Sequence, residues 1–339
     1  MSEEKKIIVY RINEDKETFH LNSGNYLKIS LLGEGSFGVV FLVKNENQSL
    51  SENSNIFALK INKKYQVNSE KNKNRGKTKR ILPTDIKELT AFKKISEINN
   101  PNLAKLLDYD INEENEIMIL MEYFPTELKT FFTQNINVLD ENFLKNITLQ
   151  ILSGLNALNK KKIIHCDIKP ENILYNPSTN IAQITDFGLS RTFNYDINRN
   201  YGFTGGTLPY MAPEILLESP YFFTSIDIWS LGCMLVEFYT GKMIFGGNDC
   251  ESVLQKIEEI FGPIKNCFPN YEDLARKKNI HLEEKEGKGL INFMKENQKM
   301  KFVNKEFYDL MNKILVIDPV KRLNARNAIE HKWLSNKKN

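Results

Sequence analysis

Apolar and polar positions change period along the chain. At 56–61, Ile56, Ala58 and Lys60 alternate with Phe57, Leu59 and Ile61, which predicts a strand with two distinct faces. From Tyr26 to about Tyr123 the apolar runs are short and strand-like. They are interrupted by one helical stretch in which Glu88 and Phe92, four positions apart, share a face. From about Pro125 the period becomes helical. Leu144, Ile147, Ile151, Leu155 and Leu158 predict a long helix with Asp140 as its N-cap. A second apolar helix is expected over about 226–239, stopping at Gly241. From about Lys305 two or three short helices are expected, closing at Trp333. No internal repeat is visible. The pattern predicts an α+β fold: an extension at 1–25, a small strand-rich lobe over 26–123, a larger helical lobe over 124–334, and a short tail at 335–339. A cleft between two such lobes is a common ligand site.

Composition narrows the class. With 41% hydrophobic and 26% charged residues, the chain can bury a large core and solvate its surface, so neither disorder nor a membrane protein is indicated. No apolar run approaches the ~20 residues of a spanning helix. The opening MSEEKK is not followed by a signal-peptide core, so a cytoplasmic or nuclear protein is expected. Cys166, Cys233, Cys250 and Cys267 form no CxxC pair and no metal spacing, which reads as reduced thiols. A net charge of +3 is too weak to argue for direct nucleic-acid binding. The basic stretch at 71–80, KNKNRGKTKR, is expected to be a loop; it reads as a solvated insert or as a nuclear-import or anionic-partner patch.

Candidate chemistry starts at Gly33-Glu34-Gly35-Ser36-Phe37-Gly38-Val39-Val40, a G-x-G-x-x-G-x-V pattern. Glycines let backbone amides approach a triphosphate that side chains would block. Dinucleotide-binding folds share this spacing but need a helix directly after it. Here Val39 to Val43 continues as a β-prone run, so strand-turn-strand is the better reading, and a plain glycine hairpin stays open at this stage. Lys60 follows in F-A-L-K, on one strand face with the small Ala58. An inward lysine needs an anion, phosphate or carboxylate. Glu88 is the natural carboxylate partner, although taken singly it also reads as a surface glutamate.

Further along stand His165-Cys166-Asp167-Ile168-Lys169-Pro170-Glu171-Asn172, then Asp186-Phe187-Gly188, Gly206-Thr207-Leu208-Pro209-Tyr210 and Ala212-Pro213-Glu214. This ordered set resembles the protein kinase signatures, over about residues 26–334. The resemblance implies a bilobal fold, ATP and Mg²⁺ as cofactors, and protein substrates. By the same resemblance Gly33, Gly35 and Gly38 cover the phosphates. Lys60, oriented by Glu88, contacts the α and β phosphates, and Asp186 and Asn172 hold metal. Asp167 accepts the substrate hydroxyl's proton and Lys169 neutralises developing charge. Leu32, Val40, Ala58 and Leu174 are expected to wall the adenine. Met121 falls at the gatekeeper position and Glu122-Tyr123-Phe124 at the hinge. Glu214 with Arg322, and Asp227, match structural positions of the family. A scaffold without activity would need the loss of Lys60, Asp167, Asn172 or Asp186, and none is lost.

Lys169-Pro170-Glu171-Asn172 and Thr207 match the serine/threonine form, and Leu189 leans toward serine. Pro83-Thr84-Asp85-Ile86-Lys87-Glu88, Trp229-Ser230-Leu231-Gly232-Cys233 and an extended segment from about Phe245 to Lys301 are similar to the group containing cyclin-dependent and mitogen-activated kinases. A cyclin-like or other activating partner on the Glu88 helix is implied. The His-Cys-Asp triplet resembles the dual-specificity, tyrosine-regulated branch. The sequence departs from the group at Met211, where arginine is usual, at Phe37, where an inhibitory tyrosine is usual, and at Gly202, where an activating threonine is usual.

Overall fold

A computed structural model of the chain describes residues 17–35, 38–46, 55–62, 83–193, 205–220, 224–268 and 270–335. The expectations for Phe37, the stretch 71–80, Tyr201, Gly202 and Thr204 lie outside the described residues. The chain has an α+β fold with a β-sheet lobe and a helical lobe. One compact unit runs to Glu97 and includes Ala104–Phe124; the other comprises Ile98–Leu103 and everything from Pro125.

The first unit is a six-stranded antiparallel sheet. Its strands are β1 (Thr18–Leu21), β2 (Gly24–Gly35), β3 (Gly38–Asn45), β4 (Ile56–Asn62), β5 (Leu106–Ile111) and β6 (Ile117–Glu122), in the order β1-β2-β3-β4-β6-β5. β1 precedes Tyr26, within the stretch expected to be an extension, and pairs with β2 from Thr18↔Leu27 to Leu21↔Gly24. Strand alternation gives the sheet two faces. One is apolar: Tyr26, Val43, Leu59, Met118 and Leu120 are buried there, with Phe41, Phe57 and Ile61 against them. The other carries Val40, Leu42, Ala58, Lys60 and Met121, which face one another through the pairs Val40↔Lys60, Leu42↔Ala58 and Ala58↔Met121. Helix α1 (Pro83–Ser96) buries the stripe Glu88, Phe92 and Ile95. Asp85 in its first turn and Lys93 and Lys94 in its last complement the helix dipole.

The second unit is built on two helices that the periodicity anticipates. Ahead of them, after a short strand β7 (Thr126–Glu127), lies α2 (Leu128–Asn135). Helix α3 (Glu141–Lys160) begins at Asp140, whose carboxylate accepts the Phe143 N–H at 2.9 Å, and its five apolar positions are all buried. After the strands β8 (Ile163–Ile164), β9 (Ile173–Asn176), β10 (Ile181–Ile184) and β11 (Arg191–Thr192) and the short helix α4 (Pro213–Leu216) comes α5 (Ser225–Thr240). All sixteen residues of α5 are buried, so it is apolar on every side and forms the axis of the core. It ends at Gly241, whose φ of 70° is a left-handed cap. Ring stacking fastens neighbours to it, Phe132 on Phe238 at 4.1 Å and Trp229 on Phe245 at 5.4 Å. Helices α6 (Cys250–Phe261), α7 (Tyr271–Lys278), α8 (Leu290–Glu296), α9 (Lys305–Ile314) and α10 (Ala325–Ile329) complete the unit, and Trp333 packs on Phe307. No helix among the described residues is long and apolar enough to cross a membrane.

Candidate active site

In the first unit the glycine pattern forms the β2–β3 hairpin, with Gly35 opposite Gly38 and Gly33 opposite Val40. This is the strand-turn-strand reading, and no helix follows the glycines. A Cβ on Gly38 would lie 2.4 Å from the Ile61 carbonyl oxygen, so the fold itself requires glycine there. At Gly33 and Gly35 a Cβ would meet no atom of the described residues within 4 Å. Packing among the described residues gives no reason for glycine at those two positions. Lys60 and Glu88 form an ion pair, and Asn62 donates from Nδ2 to the other Glu88 oxygen at 3.2 Å. Glu88 is thus buried with both oxygens engaged, which excludes the surface-glutamate reading. Asn62 escapes sequence inspection, since nothing in the pattern marks an asparagine at a strand end. Val40, Ala58 and Met121 share the Lys60 face of the sheet. Leu32 is exposed on β2, Glu122 ends β6, and Tyr123 follows half-buried.

In the second unit, β8 leads into His165, and the loop 165–172, the expected catalytic loop, hangs on Asp227 of α5. Its two carboxylate oxygens accept the His165 N–H at 2.8 Å and the Cys166 N–H at 2.9 Å. Burial pushes the Asp227 carboxyl up, while His165 and the two N–H donors pull it back. These bonds hold Cys166 at φ 72°, a left-handed geometry that costs a non-glycine residue about 1–3 kcal/mol. The turn Pro170–Asn172 then folds Asn172 back, and its Nδ2 donates to the Asp167 carbonyl at 2.8 Å and to Asp167 Oδ2 at 3.0 Å. Lys169 Nζ lies 3.0 Å from Asp167 Oδ2 and donates to Thr207 Oγ1 at 2.8 Å. Thr207 donates in turn to Asp167 Oδ1 at 2.8 Å. One hydroxyl therefore links the carboxylate and the ammonium.

Asp186 follows β10 with φ 61°, and the preceding Thr185 N–H donates to the Asn172 carbonyl at 3.0 Å. The two predicted metal ligands are thereby coupled through the backbone. Because the Asn172 amide nitrogen faces Asp167, its oxygen is turned the other way, as a hard cation requires. Among the described residues no cluster of three or more His, Cys, Asp or Glu is placed to hold a metal ion. Mg²⁺ does not need one, since it takes one or two protein oxygens and completes its shell with water and phosphate. Leu174 stands on β9 opposite Glu127 and Gln183.

Beside the catalytic loop lies an acidic group that the sequence shows only in part. Burial pushes the Glu127 carboxyl up, the Glu171 carboxylate adds to this, and Lys169 opposes it. Lys129 is 4.0 Å from Glu171 and paired with Glu237, which also accepts the Tyr210 hydroxyl at 2.5 Å. Lys129 and Glu237 are missed by sequence reasoning because a contact between α2 and α5 leaves no local signature. Glu171 Oε2 is buried without a partner among the described residues. Further along, the Met211 side chain sits against Gly206, where a Cβ would come within 3.1 Å of Met211 Cε.

An antiparallel sheet bearing a glycine hairpin and a lysine–glutamate pair, in one chain with a helical unit bearing Asp167, Lys169, Asn172 and Thr207 as one network, defines the kinase class of transferase. A family model, protein kinase domain, matches residues 26–334. The chain belongs to the protein kinase family.

Proposed function

We propose that the chain is a catalytically active serine/threonine protein kinase, transferring the γ-phosphoryl group of ATP to protein hydroxyls with Mg²⁺. The observation that carries this reading is the Thr207 hydroxyl, which accepts from Lys169 and donates to Asp167. That bond fixes one Asp167 oxygen while the Asn172 amide steadies the other. The carboxylate is then aimed to receive the proton of a substrate hydroxyl. Lys169 Nζ supplies positive charge beside that oxygen for the charge developing on the transferred group. Gly33, Gly35 and Gly38 would hold the triphosphate by their amides, and Lys60, oriented by Glu88, its α and β oxygens. Leu32, Val40, Ala58, Met121 and Leu174 would enclose the adenine, with the Glu122–Tyr123 backbone bonding its edge. Asn172 and Asp186 would hold Mg²⁺, which when bound neutralises phosphate charge. The test is the purified chain with MgATP and three peptides that differ only in carrying Ser, Thr or Tyr. Phosphate on Ser and Thr with little on Tyr is expected. Phosphate on none, or chiefly on Tyr, overturns the reading.

Substrate choice follows from the acidic group. Glu127 and Glu171, close enough for the Glu171 carboxylate to push the Glu127 carboxyl up, suit a basic side chain shortly before the target residue. Met211 has no donor with which to build a proline pocket. A peptide array is expected to favour Arg or Lys upstream and to be indifferent to proline directly after the target; a dominant Ser-Pro requirement would contradict this.

Activation is read from Cys166. A loop phosphate is usually received by an arginine at this position, through a bidentate pair that a thiol cannot make. Burial pushes the Cys166 thiol up, so it stays neutral. With Gly202 at the usual phosphorylated position, site and receptor are both changed. Activity is therefore expected to be independent of a phosphothreonine there, with order supplied by packing or by a partner on α1, where Ile86 is exposed. Tyr201 phosphate read by Arg191, which lies on β11 opposite Ile164, is the other route. Bacterially made protein, stripped by phosphatase and verified by mass spectrometry, is expected to keep most of its activity. Loss of activity that returns only with phosphate on Thr204 or Tyr201 would refute this.

A further inference from the structure

The two halves of helix α1 are fastened differently within the first unit. In the second half Phe92 and Ile95 are buried, Ser96 Oγ accepts the Leu106 N–H of β5 at 2.7 Å, and Lys93 Nζ lies 3.6 Å from the Tyr109 ring centre. The first half has no such cover. Thr84, Ile86, Lys87 and Thr90 are exposed, and Glu88 is the one buried residue from Thr84 to Thr90. The Glu88 carboxylate is therefore what holds this half. Among the described residues it bonds to Lys60 and Asn62, which alternation places on one face of β4.

Asn62 ends β4, opposite Gly38 of the glycine hairpin, and is only 2% exposed. A carboxylate oxygen can only accept, so the side of the amide facing Glu88 Oε2 at 3.2 Å is its NH₂ group. The other side, Oδ1, is buried with no hydrogen-bond partner among the described residues. Burying an amide oxygen in this way costs stability that an apolar side chain of similar size would not cost. The strand itself gives no reason for an asparagine at this end, whereas the bond to Glu88 does. This bond also differs in kind from its neighbour. Lys60 is the residue proposed to bind phosphate, so its ammonium is divided between Glu88 and nucleotide. The Asn62 amide has no part in the proposed nucleotide site and remains with Glu88.

We propose that Asn62 is a positioning residue for phosphotransfer: its amide holds Glu88 Oε2, so that the first half of α1 is seated and Lys60 is aligned in the chain on its own, before any partner binds. The proposal rests on the reading of Lys60 as the phosphate ligand.

The test combines hydrogen exchange on the full chain without nucleotide with steady-state kinetics on MgATP and a serine peptide. In the unaltered chain the amides of 87–91 are expected to be protected. In Asn62→Leu, which keeps the size and removes the donor, their protection should fall about tenfold, the size of one hydrogen bond to a charged group, while the amides of 93–96 keep theirs. Asn62→Asp, which keeps the shape and offers an acceptor in place of the donor, should act in the same direction, and it carries the comparison if Asn62→Leu does not fold. The kcat/KM for ATP should fall by a similar factor with the KM for peptide unchanged, a split that general loosening of the fold would not give. In a Glu88→Ala background Asn62→Leu should change neither reading further, because its partner is gone. Unprotected amides at 87–91 in the unaltered chain, unchanged protection in the Asn62 variants, or an equal effect of Asn62→Leu with and without Glu88 overturns the proposal. Lost protection with unchanged kinetics overturns the role in phosphotransfer. Exchange reads the seating of α1 whether or not phosphate is transferred, so a chain without turnover refutes the kinase reading and leaves the exchange result to decide the clamp.

Discussion

Asp167→Asn is expected to lower turnover by about 10²–10⁴-fold while leaving ATP affinity nearly unchanged. Three donors converge on this carboxylate: Asn172 Nδ2, Lys169 Nζ and the Thr207 hydroxyl. An amide cannot accept from all three, because one of its two terminal atoms is itself a donor. The substitution therefore removes the proton acceptor and also turns a donor toward Asn172 and Lys169 or toward Thr207. ATP affinity should survive, since none of the residues proposed to contact the nucleotide itself bonds to the Asp167 carboxylate. Steady-state kinetics on a peptide, with nucleotide binding measured separately, checks both halves. Near-normal turnover would remove Asp167 from its role.

The second large effect concerns stability. Glu214 and Arg322 are both fully buried and paired in bidentate fashion, Nη1 to Oε1 at 2.8 Å and Nη2 to Oε2 at 3.1 Å. Arg322 also donates to the carbonyls of Ser225, Val316 and Ile317 and lies over the Trp229 ring at 5.0 Å. Glu214→Ala leaves a guanidinium in the core with neutral partners only. Breaking a buried pair in this way costs about 3–5 kcal/mol. That is a large part of the ~5–15 kcal/mol that holds a native protein together. Thermal or urea unfolding should show the loss, and Glu214→Leu combined with Arg322→Met should recover part of it, since that double change leaves no buried charge. A loss of only about 0–1 kcal/mol, the size of a surface pair, would contradict the account.

Much of this was legible in the sequence because it is local. Asp140 and Gly241 mark helix ends through their own backbone chemistry, and the alternation at 56–61 is a property of one strand. The helix at 225–240 was legible as apolar, but its place at the centre was not, because a helix buried on all sides has no amphipathic period to display. The roles of Asp227, Glu214 and Arg322 came through resemblance, and their hydrogen bonds agree with it. What stayed hidden is non-local or masked by polarity. The β1 strand, TFHL, sits among polar residues and is recognisable only by its pairing with β2. Asn62 on Glu88 and Lys129 on Glu237 arise from contacts between separate elements, which no spacing rule encodes.

Transfer itself is the most direct test of the central claim. The purified chain is incubated with γ-labelled ATP, Mg²⁺ and a basic serine peptide, beside Asp186→Asn under the same conditions, and label in the peptide is counted. The account predicts multiple turnovers that need Mg²⁺, and no transfer above background from Asp186→Asn. Absence of label with the unaltered chain while it binds ATP normally, or equal label with Asp186→Asn, would contradict it.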